Sequence, residues 1–256
     1  MQKAIAPTRR AEFWAGVRDT FPLALGALPF ALIFGAGALA NGISPAGTQA
    51  MSLFVFAGSA QFIGSQLVGN GVGVWFIVLT TFVVNLRHAL YGATLGPYLK
   101  HLPQRWLAPL GFWLTDETFV IVFSRYNQPD GSPYKHWYFL GSEIFMYVNW
   151  NFWTLVGITA GQRIPNVASL GLDFAMIVTF TGMLVPLIKG RAVLVSTVVA
   201  AVAAVVAYPL PNKLYLMVAA VLGIAAGVLV ESLSPQEAAK ARPSGNELES
   251  LGGTLE

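Results

Sequence analysis

Residues 72–95 read VGVWFIVLTTFVVNLRHALYGATL, an apolar run that is interrupted only by a short polar group in its second half. The run is longer than the roughly 20 residues that a helix needs to cross a bilayer. Over the whole chain, 55% of the residues are hydrophobic and only 11% are charged, whereas soluble domains carry about 25% charged residues. The composition therefore predicts a polytopic integral membrane protein, and it argues against a soluble enzyme, a disordered protein and a nucleic-acid binder.

Hydropathy predicts an all-α membrane bundle with seven to eight transmembrane segments, some of them interrupted by Gly and Pro. The eight candidate spans are 21–40, 46–68, 72–95, 106–124, 137–160, 170–188, 191–209 and 213–231. Two Gly/Pro pairs, Gly26 to Pro29 and Gly182 to Pro186, predict interrupted helices of the kind that bind substrates in transporters.

The flanking segments complete the predicted organisation. Residues 1–20 form a basic segment, and residues 232–256 are polar and rich in Gly and Pro, which predicts a disordered tail. Residues 21–231 are accordingly predicted to be a single transmembrane domain.

Basic residues predict the topology, because Lys and Arg accumulate on the cytoplasmic side of a membrane. With eight crossings and a cytoplasmic N-terminus, Arg125 and Lys135 fall on the cytoplasmic side, and Lys100 and Arg105 fall outside. If one of the first three segments folded back without crossing, the asymmetry would be weaker. The sequence therefore favours eight crossings in the cytoplasmic (inner) membrane.

Ionisable residues inside a span are expensive, costing about 2.5–3.5 kcal/mol each at the centre of a helix. Span 72–95 holds the densest polar group, with Asn85 and His88 on one face and Arg87 and Tyr91 on a neighbouring face. Arg87 either snorkels or pairs with a carboxylate to lock the fold, or it anchors a substrate carboxylate beside a titrating His88.

Two adjacent acids, Asp116 and Glu117, lie near the centre of span 106–124 and point about 100° apart on a helix. One of them can pair with Arg87 while the other faces a cavity. A purely structural clamp is the alternative, but two acids exceed what one arginine needs. The surplus acid could carry a proton.

Three further residues are candidates for a transport pathway. Glu143 begins a polar stripe with Tyr147 and Asn151 on one face of span 137–160, which predicts a cavity lining. In span 46–68, Ser52, Ser59 and Gln66 recur every seven residues and Gln61 adds an amide, which indicates close helix packing, a water-accessible path or a broken helix. The third candidate is Pro29, whose predicted break would expose helix termini.

Enzymatic and cofactor motifs are missing from the sequence. There is no cysteine, no GxxxxGK[ST] loop and no HExxH helix, so we expect no metal, no cofactor and no catalysis. Spans 191–209 and 213–231 are interpreted as scaffolding, because Val198 to Ala207 is almost wholly Val and Ala, with no group capable of chemistry. The Gly223-x-x-x-Gly227 pair in the last span predicts close helix contact.

Four motifs together resemble the AzlC family, over approximately residues 13–231. They are Pro29-Phe30, Phe56-Ala57-Gly58-Ser59-Ala60-Gln61-Phe62, Asn85-Leu86-Arg87-His88 with Leu90-Tyr91-Gly92, and Thr115-Asp116-Glu117. Proteins of this family are large subunits of two-component branched-chain amino-acid exporters. The resemblance implies efflux of valine, leucine, isoleucine or methionine, together with a small AzlD-type membrane subunit.

The residues suit such a substrate, which carries an ammonium, a carboxylate and an apolar side chain. The candidate site residues are Arg87, His88, Asn85, Asp116, Glu117, Gln61, Glu143 and Pro29. We expect secondary active, proton-coupled efflux. The alternatives are a passive channel for small polar solutes and an assembly subunit of a membrane complex.

Overall fold

The structure is a computed structural model that describes residues 8–163, 190–210 and 214–233, together with residues 181, 185 and 188. Two compact units, Met1–Thr179 and Phe180–Glu256, divide the chain. The first contains α1 (Arg9–Ala40), α2 (Pro45–Phe54), α3 (Gly58–Gly69), α4 (Val74–Leu99), α5 (Gln104–Phe112), α6 (Asp116–Tyr126) and α7 (Lys135–Arg163). In the second lie α8 (Arg191–Val206) and α9 (Leu214–Leu233). Every regular element in these described ranges is an α-helix, as the sequence predicts.

The first unit is built on α1 and α7, which run parallel and approach each other closely through glycines. Gly16 of α1 faces the backbone of Tyr138 and Ser142, and Gly35 faces the backbone of Thr154 and Ile158. On α7, Gly141 faces the backbone of Phe13 and Gly157 faces the backbone of Leu32, both in α1. Such small-residue contacts let two helix backbones meet, and they are typical of membrane helix pairs.

The interruption predicted at Pro29 is wrong, because α1 continues without a break through Pro22 and Pro29. Proline removes one helical hydrogen bond, so a neighbouring group has to satisfy the carbonyls of the preceding turn. In the turn before Pro29, the side-chain amide of Asn149 of α7 donates a hydrogen bond of 3.1 Å to the carbonyl of Ala24. Packing against α7 therefore supports the helix at this point.

Segment 46–68 is a helical hairpin, α2–α3, instead of the single predicted span. Its two ends lie together, since α2 begins just after α1 ends and Asn41 contacts both Gly69 and Ser65 of α3. The chain reverses at Phe56, which is the one described non-glycine residue with a positive φ, +43°. We call α2–α3 hairpin 1 and residues Val55–Gly58 its tip.

Segment 106–124 forms a second hairpin, α5–α6, which enters from the other end of the unit. Trp106 of α5 packs on Trp137 at the start of α7, and the last turn of α6 returns to the start of α1 through Arg125 and Glu12. We call α5–α6 hairpin 2 and residues Trp113–Asp116 its tip. Its helices have 9 and 11 residues, or about 13–17 Å at 1.5 Å per residue, which is half of a bilayer core.

Helix α4 runs antiparallel to α1 and connects the two hairpins. It starts beside the end of α3 and ends where α1 and α7 begin, and its 26 residues are enough to cross a bilayer. By length and composition, α1 and α4 are the described helices that fit a membrane span. Helix α7 has 29 residues but is more polar.

An ion-pair network ties the starts of α1 and α7 to the end of α6. Arg125 binds Glu12 at 2.5 Å and Asp130 at 2.6 Å, and Lys135 binds Asp130 at 3.1 Å. Partial burial would raise the pKa of Asp130, but hydrogen bonds from Lys135, Ser132 and Arg125 outweigh it and lower this pKa below its usual value.

Most cations of the first unit gather at this end, which we call the basic end. They are Arg9, Arg10, Lys100, Arg105, Arg125 and Lys135, whereas Arg163 lies at the opposite end. The sequence assigned Lys100 and Arg105 to the other side of the membrane from Arg125 and Lys135. That assignment is wrong, because hydropathy alone does not register that segments 46–68 and 106–124 turn back on themselves.

The second unit is an antiparallel pair of helices. Gly223 and Gly227 of α9 pack on Ser196 of α8, whose hydroxyl donates a 2.8 Å hydrogen bond to the carbonyl of Gly223. Close contact through the GxxxG pair is thus confirmed. The predicted tail 232–256 and the span 170–188, with its Gly182–Pro186 break, lie almost entirely outside the described residues.

Candidate functional site

The tips of the two hairpins converge on α7 near the middle of the first unit. Phe56 of hairpin 1 lies 4.9 Å from the ring of Tyr147, and Trp113 of hairpin 2 lies 5.7 Å from the same ring. The Tyr147 hydroxyl donates a 3.0 Å hydrogen bond to the carbonyl of Leu53 near the end of α2. Burial of Phe56 against this ring holds its left-handed backbone, a conformation that bulky residues rarely adopt.

Arg87 of α4 connects the two tips directly. Its guanidinium pairs with the carboxylate of Asp116, the first residue of α6, at 2.7 Å, and donates a 3.2 Å hydrogen bond to the hydroxyl of Ser59 in the first turn of α3. Tyr91, one turn further along α4, donates a 2.8 Å hydrogen bond to Asp116. The pairing of Arg87 with an acid of segment 106–124 is therefore confirmed.

Both α3 and α6 point their N-termini at this centre, and the two termini differ in charge. A helix N-terminus carries a partial positive charge and unpaired N–H groups. In α6 the Thr115 side chain caps the terminus, and Asp116 and Glu117 supply negative charge. In α3, which starts at Gly58, no side chain caps the terminus and its first turn holds no acid. The α3 terminus is thus the one able to receive an anion.

The remaining polar residues predicted on α4 and α6 surround this pair. Glu117 is partly buried next to Asp116, and no ion pair to it occurs among the residues that the structure describes. His88 Nδ1 lies 3.2 Å from the carbonyl of Asn85, and its ring packs edge-on against Tyr91. The side-chain oxygen of Asn85 is buried and has no hydrogen-bond partner.

Aromatic side chains form the wall beside the two tips. Trp150 packs its indole ring against Gly58, where a Cβ atom would lie 3.0 Å from the ring. Phe56, Phe30 and Met146 belong to the same buried cluster, and Tyr147 and Trp113 pack against it. The indole nitrogens of Trp113 and Trp150 are buried and unpartnered. The centre thus combines an apolar wall with unpaired donors.

Gln61 lies inside hairpin 1. It is fully buried, its amide nitrogen donates a 3.0 Å hydrogen bond to Ser52, and its carbonyl oxygen has no partner. The seven-residue stripe predicted through Ser52 and Ser59 is wrong, because the tip separates these residues onto α2 and α3. The α7 stripe also packs against hairpin 1, where Asn151 accepts a 3.0 Å hydrogen bond from Gln49.

The structure therefore brings together Arg87, His88, Asn85, Asp116 and Glu117, with Gln61 nearby in α3. Glu143 is fully buried in α7, one turn before Tyr147 on the side of the basic end, and Pro29 lies inside α1. The predicted site residues left out Ser59 and Tyr91, which the sequence placed only in the polar groups of their spans, and the aromatic wall. A Thr-Asp-Glu start of a helix is a capping signature, and it could have located the tip at Thr115.

Comparisons with known proteins agree with this fold class. The model of the AzlC protein family matches residues 22–164. The inner membrane protein YgaZ of Escherichia coli is 28% identical over 86% of this chain and 89% of its own length. The branched-chain amino acid transport protein AzlC of Bacillus subtilis is 26% identical over 67% of this chain and 68% of its own.

An uncharacterized membrane protein of Archaeoglobus fulgidus is 30% identical over 72% of this chain and 80% of its own length. No solved structure matches the chain. The relatives support a helical membrane protein that acts in transport.

Proposed function

Because the chain belongs to the AzlC family, we propose that it exports branched-chain amino acids across the cytoplasmic membrane, coupled to protons and together with a small AzlD-type membrane subunit. One observation carries the proposal. Two half-helices that enter from opposite ends of the unit aim their N-termini at one arginine–aspartate pair. Substrate sites of secondary transporters are commonly built in this way, near the bilayer midplane.

The substrate carboxylate fits the N-terminus of α3. This terminus has no side-chain cap and no acid in its first turn, and its Ser59 is held by Arg87. Unpaired N–H groups, the helix dipole and a nearby guanidinium all favour a carboxylate there. The same groups would repel the ammonium end, so they would also orient the substrate.

The substrate ammonium fits Glu117. Asp116 already binds Arg87 and Tyr91, so its negative charge is compensated within the protein. Glu117, beside it in the first turn of α6, is the surplus acid that the sequence predicted. A carboxylate here would balance an ammonium that leaves water, whereas an unpaired charge at this depth would be costly.

The branched side chain fits the aromatic wall made by Phe56, Trp113, Tyr147 and Trp150. These rings lie beside both helix tips, within one buried cluster. Burial of each methylene group against an apolar wall contributes about 0.8 kcal/mol to the free energy of binding, which favours leucine over glycine or alanine. Valine, isoleucine and methionine present similar apolar area.

The charge distribution supports a cytoplasmic N-terminus in a multi-pass arrangement. Apart from Arg163, the described cations at the ends of the first unit lie at the basic end, where α1 begins. This asymmetry is stronger than the one that the eight-crossing topology gives for the same residues, and cytoplasmic loops carry an excess of Lys and Arg. Hairpin 2 then enters from the cytoplasm and hairpin 1 from outside.

Leucine counterflow in proteoliposomes tests the proposed function. Vesicles that contain the chain and its small partner subunit are loaded with unlabelled leucine and diluted into labelled leucine. We expect a saturable, transient accumulation of label that valine, isoleucine and methionine reduce and glycine does not. A passive channel would give no accumulation, and an assembly subunit would leave transport to the partner alone. Either result would contradict the proposal.

A further inference from the structure

Glu143 is a buried carboxyl group that the substrate site does not use. It lies in α7 with none of its surface exposed, and neither carboxylate oxygen has a hydrogen-bond partner among the residues that the structure describes. Buried polar groups in proteins are almost always hydrogen-bonded, so an acid with both oxygens unpaired needs an explanation. An ionised carboxylate in such a place would lack both solvent and counterion, whereas the protonated acid is neutral.

The helices packed around Glu143 offer it no cation. From α6 the nearest titratable group is Tyr126, a buried phenol. On α1, Glu12 is bound by Arg125 and Ser132, and Asp19 is bound by Arg18 and Tyr138.

The cations of the basic end that lie nearest in the sequence to Glu143 already bind other groups. Arg125 and Lys135 share Asp130, and Lys135 also donates hydrogen bonds to the carbonyls of Tyr126 and Gln128. No ion pair to Glu143 occurs among the described residues. Charge compensation of an ionised Glu143 would therefore need a rearrangement of these pairs.

Hairpin 2 covers Glu143 on the side of the basic end. Phe139, one helical turn earlier on the same face of α7, packs in one cluster with Leu110 of α5 and Val122 of α6. Movement of hairpin 2 away from α7 would uncover this face of the helix and open it to water from the basic end. The same hairpin carries Asp116 and Glu117 at its tip, so its movement would change the substrate centre as well.

We propose that Glu143 carries the coupling proton, an inference that rests on the proposed transport function. With hairpin 2 packed on α7, as in this structure, Glu143 is protonated and neutral. When the hairpin moves, water enters, and the carboxyl group releases its proton to water at the basic end. It regains a proton from the opposite side of the membrane when hairpin 1, which contacts Tyr147 one turn further along α7, moves in its turn. Each cycle then carries one proton across the membrane, and the hairpins that expose Glu143 are the ones that hold the substrate centre.

Two substitutions separate this role from a structural one. Glutamine has nearly the shape of a protonated glutamate but cannot release a proton, so Glu143→Gln should fold normally. Glu143→Asp keeps a titrating group. Glu231→Gln, at an exposed position of α9, is the matched control.

The measurement is leucine transport into proteoliposomes, with and without an imposed pH gradient, alongside counterflow without a gradient. In the wild type and in Glu231→Gln we expect the gradient to accelerate transport at least about tenfold. In Glu143→Gln counterflow should remain within about twofold of the wild type and the acceleration should vanish. Glu143→Asp should keep part of it. A coupling of about tenfold lies within the range that is usual for two linked sites.

Several results would overturn the inference. An undiminished response of Glu143→Gln to the gradient would exclude Glu143 as the proton carrier, and loss of its counterflow would make the residue structural. A large rise in the thermal stability of Glu143→Gln at neutral pH would show that the native group is ionised. Absence of counterflow in the wild type would instead contradict the transport function itself.

Discussion

Replacing Arg87 by glutamine should reduce leucine counterflow at least about a hundredfold, the largest functional effect that we expect. Arg87 joins Ser59 of hairpin 1 to Asp116 of hairpin 2, and its side chain is only 27% exposed. Removing one partner of a buried ion pair costs about 3–5 kcal/mol, because the other charge is left uncompensated. Arg87→Gln would thus leave Asp116 charged and both tips without their common contact.

Three further variants make this experiment decisive. Arg87→Lys keeps the charge but cannot reach Ser59 and Asp116 together, so transport should stay low. In Arg87→Gln with Asp116→Asn, protein abundance should recover while transport does not. Arg18→Gln is the matched control, since its side chain is 79% exposed and pairs with the adjacent Asp19. Wild-type transport by an equally abundant Arg87→Gln protein would contradict the proposed site.

Replacing Gly157 by alanine should produce the largest loss of stability. A Cβ atom at Gly157 would run into the carbonyl group and Cα of Leu32 on α1, and backbone cannot move aside as a flexible side chain can. Overpacking in a well-packed interior typically costs about 1–3 kcal/mol, and a clash with backbone lies at or above the upper limit. The measurement is the thermal stability of the detergent-solubilised protein.

Gly37→Ala in α1 is the control for that experiment, because apart from the adjacent backbone of α1 no described atom lies within 4 Å of a Cβ at this position. Its stability should equal or slightly exceed that of the wild type, since alanine favours helix more than glycine does. If Gly157→Ala and Gly37→Ala melted at the same temperature, the close parallel packing of α1 and α7 would be wrong.

Hydrophobic composition was sufficient to predict the class of the fold and the apolar segments. It could not reveal the direction of each segment, because a hairpin of two half-helices has the same mean hydropathy as one span. Segment 46–68 shows the difficulty, since its reversal depends on the left-handed backbone of Phe56 and not on a glycine or proline. The partner that stabilises this conformation, Tyr147, is distant in sequence.

The cost of burying charge predicted the ion pair of Arg87 with an acid of segment 106–124, and that prediction was confirmed. The same argument did not assign Ser59 and Tyr91 to the site, because hydroxyl groups are less costly to bury than charges. It also expected Pro29 to break α1. That expectation failed because α1 continues through Pro29 while it packs closely along α7, a tertiary contact that sequence reasoning cannot foresee.

The most direct test of the account is the side from which single cysteines at the hairpin ends can be labelled. The native chain has no cysteine, so each variant reports one position. Ser44 and Asn70, at the two ends of hairpin 1, and Gln104 and Pro129, at those of hairpin 2, are exposed. We expect Ser44→Cys and Asn70→Cys to react with an impermeant maleimide from outside, and Gln104→Cys and Pro129→Cys from the cytoplasm. Labelling of Ser44→Cys and Asn70→Cys from opposite sides would contradict the account, because the two tips could not then meet at Arg87.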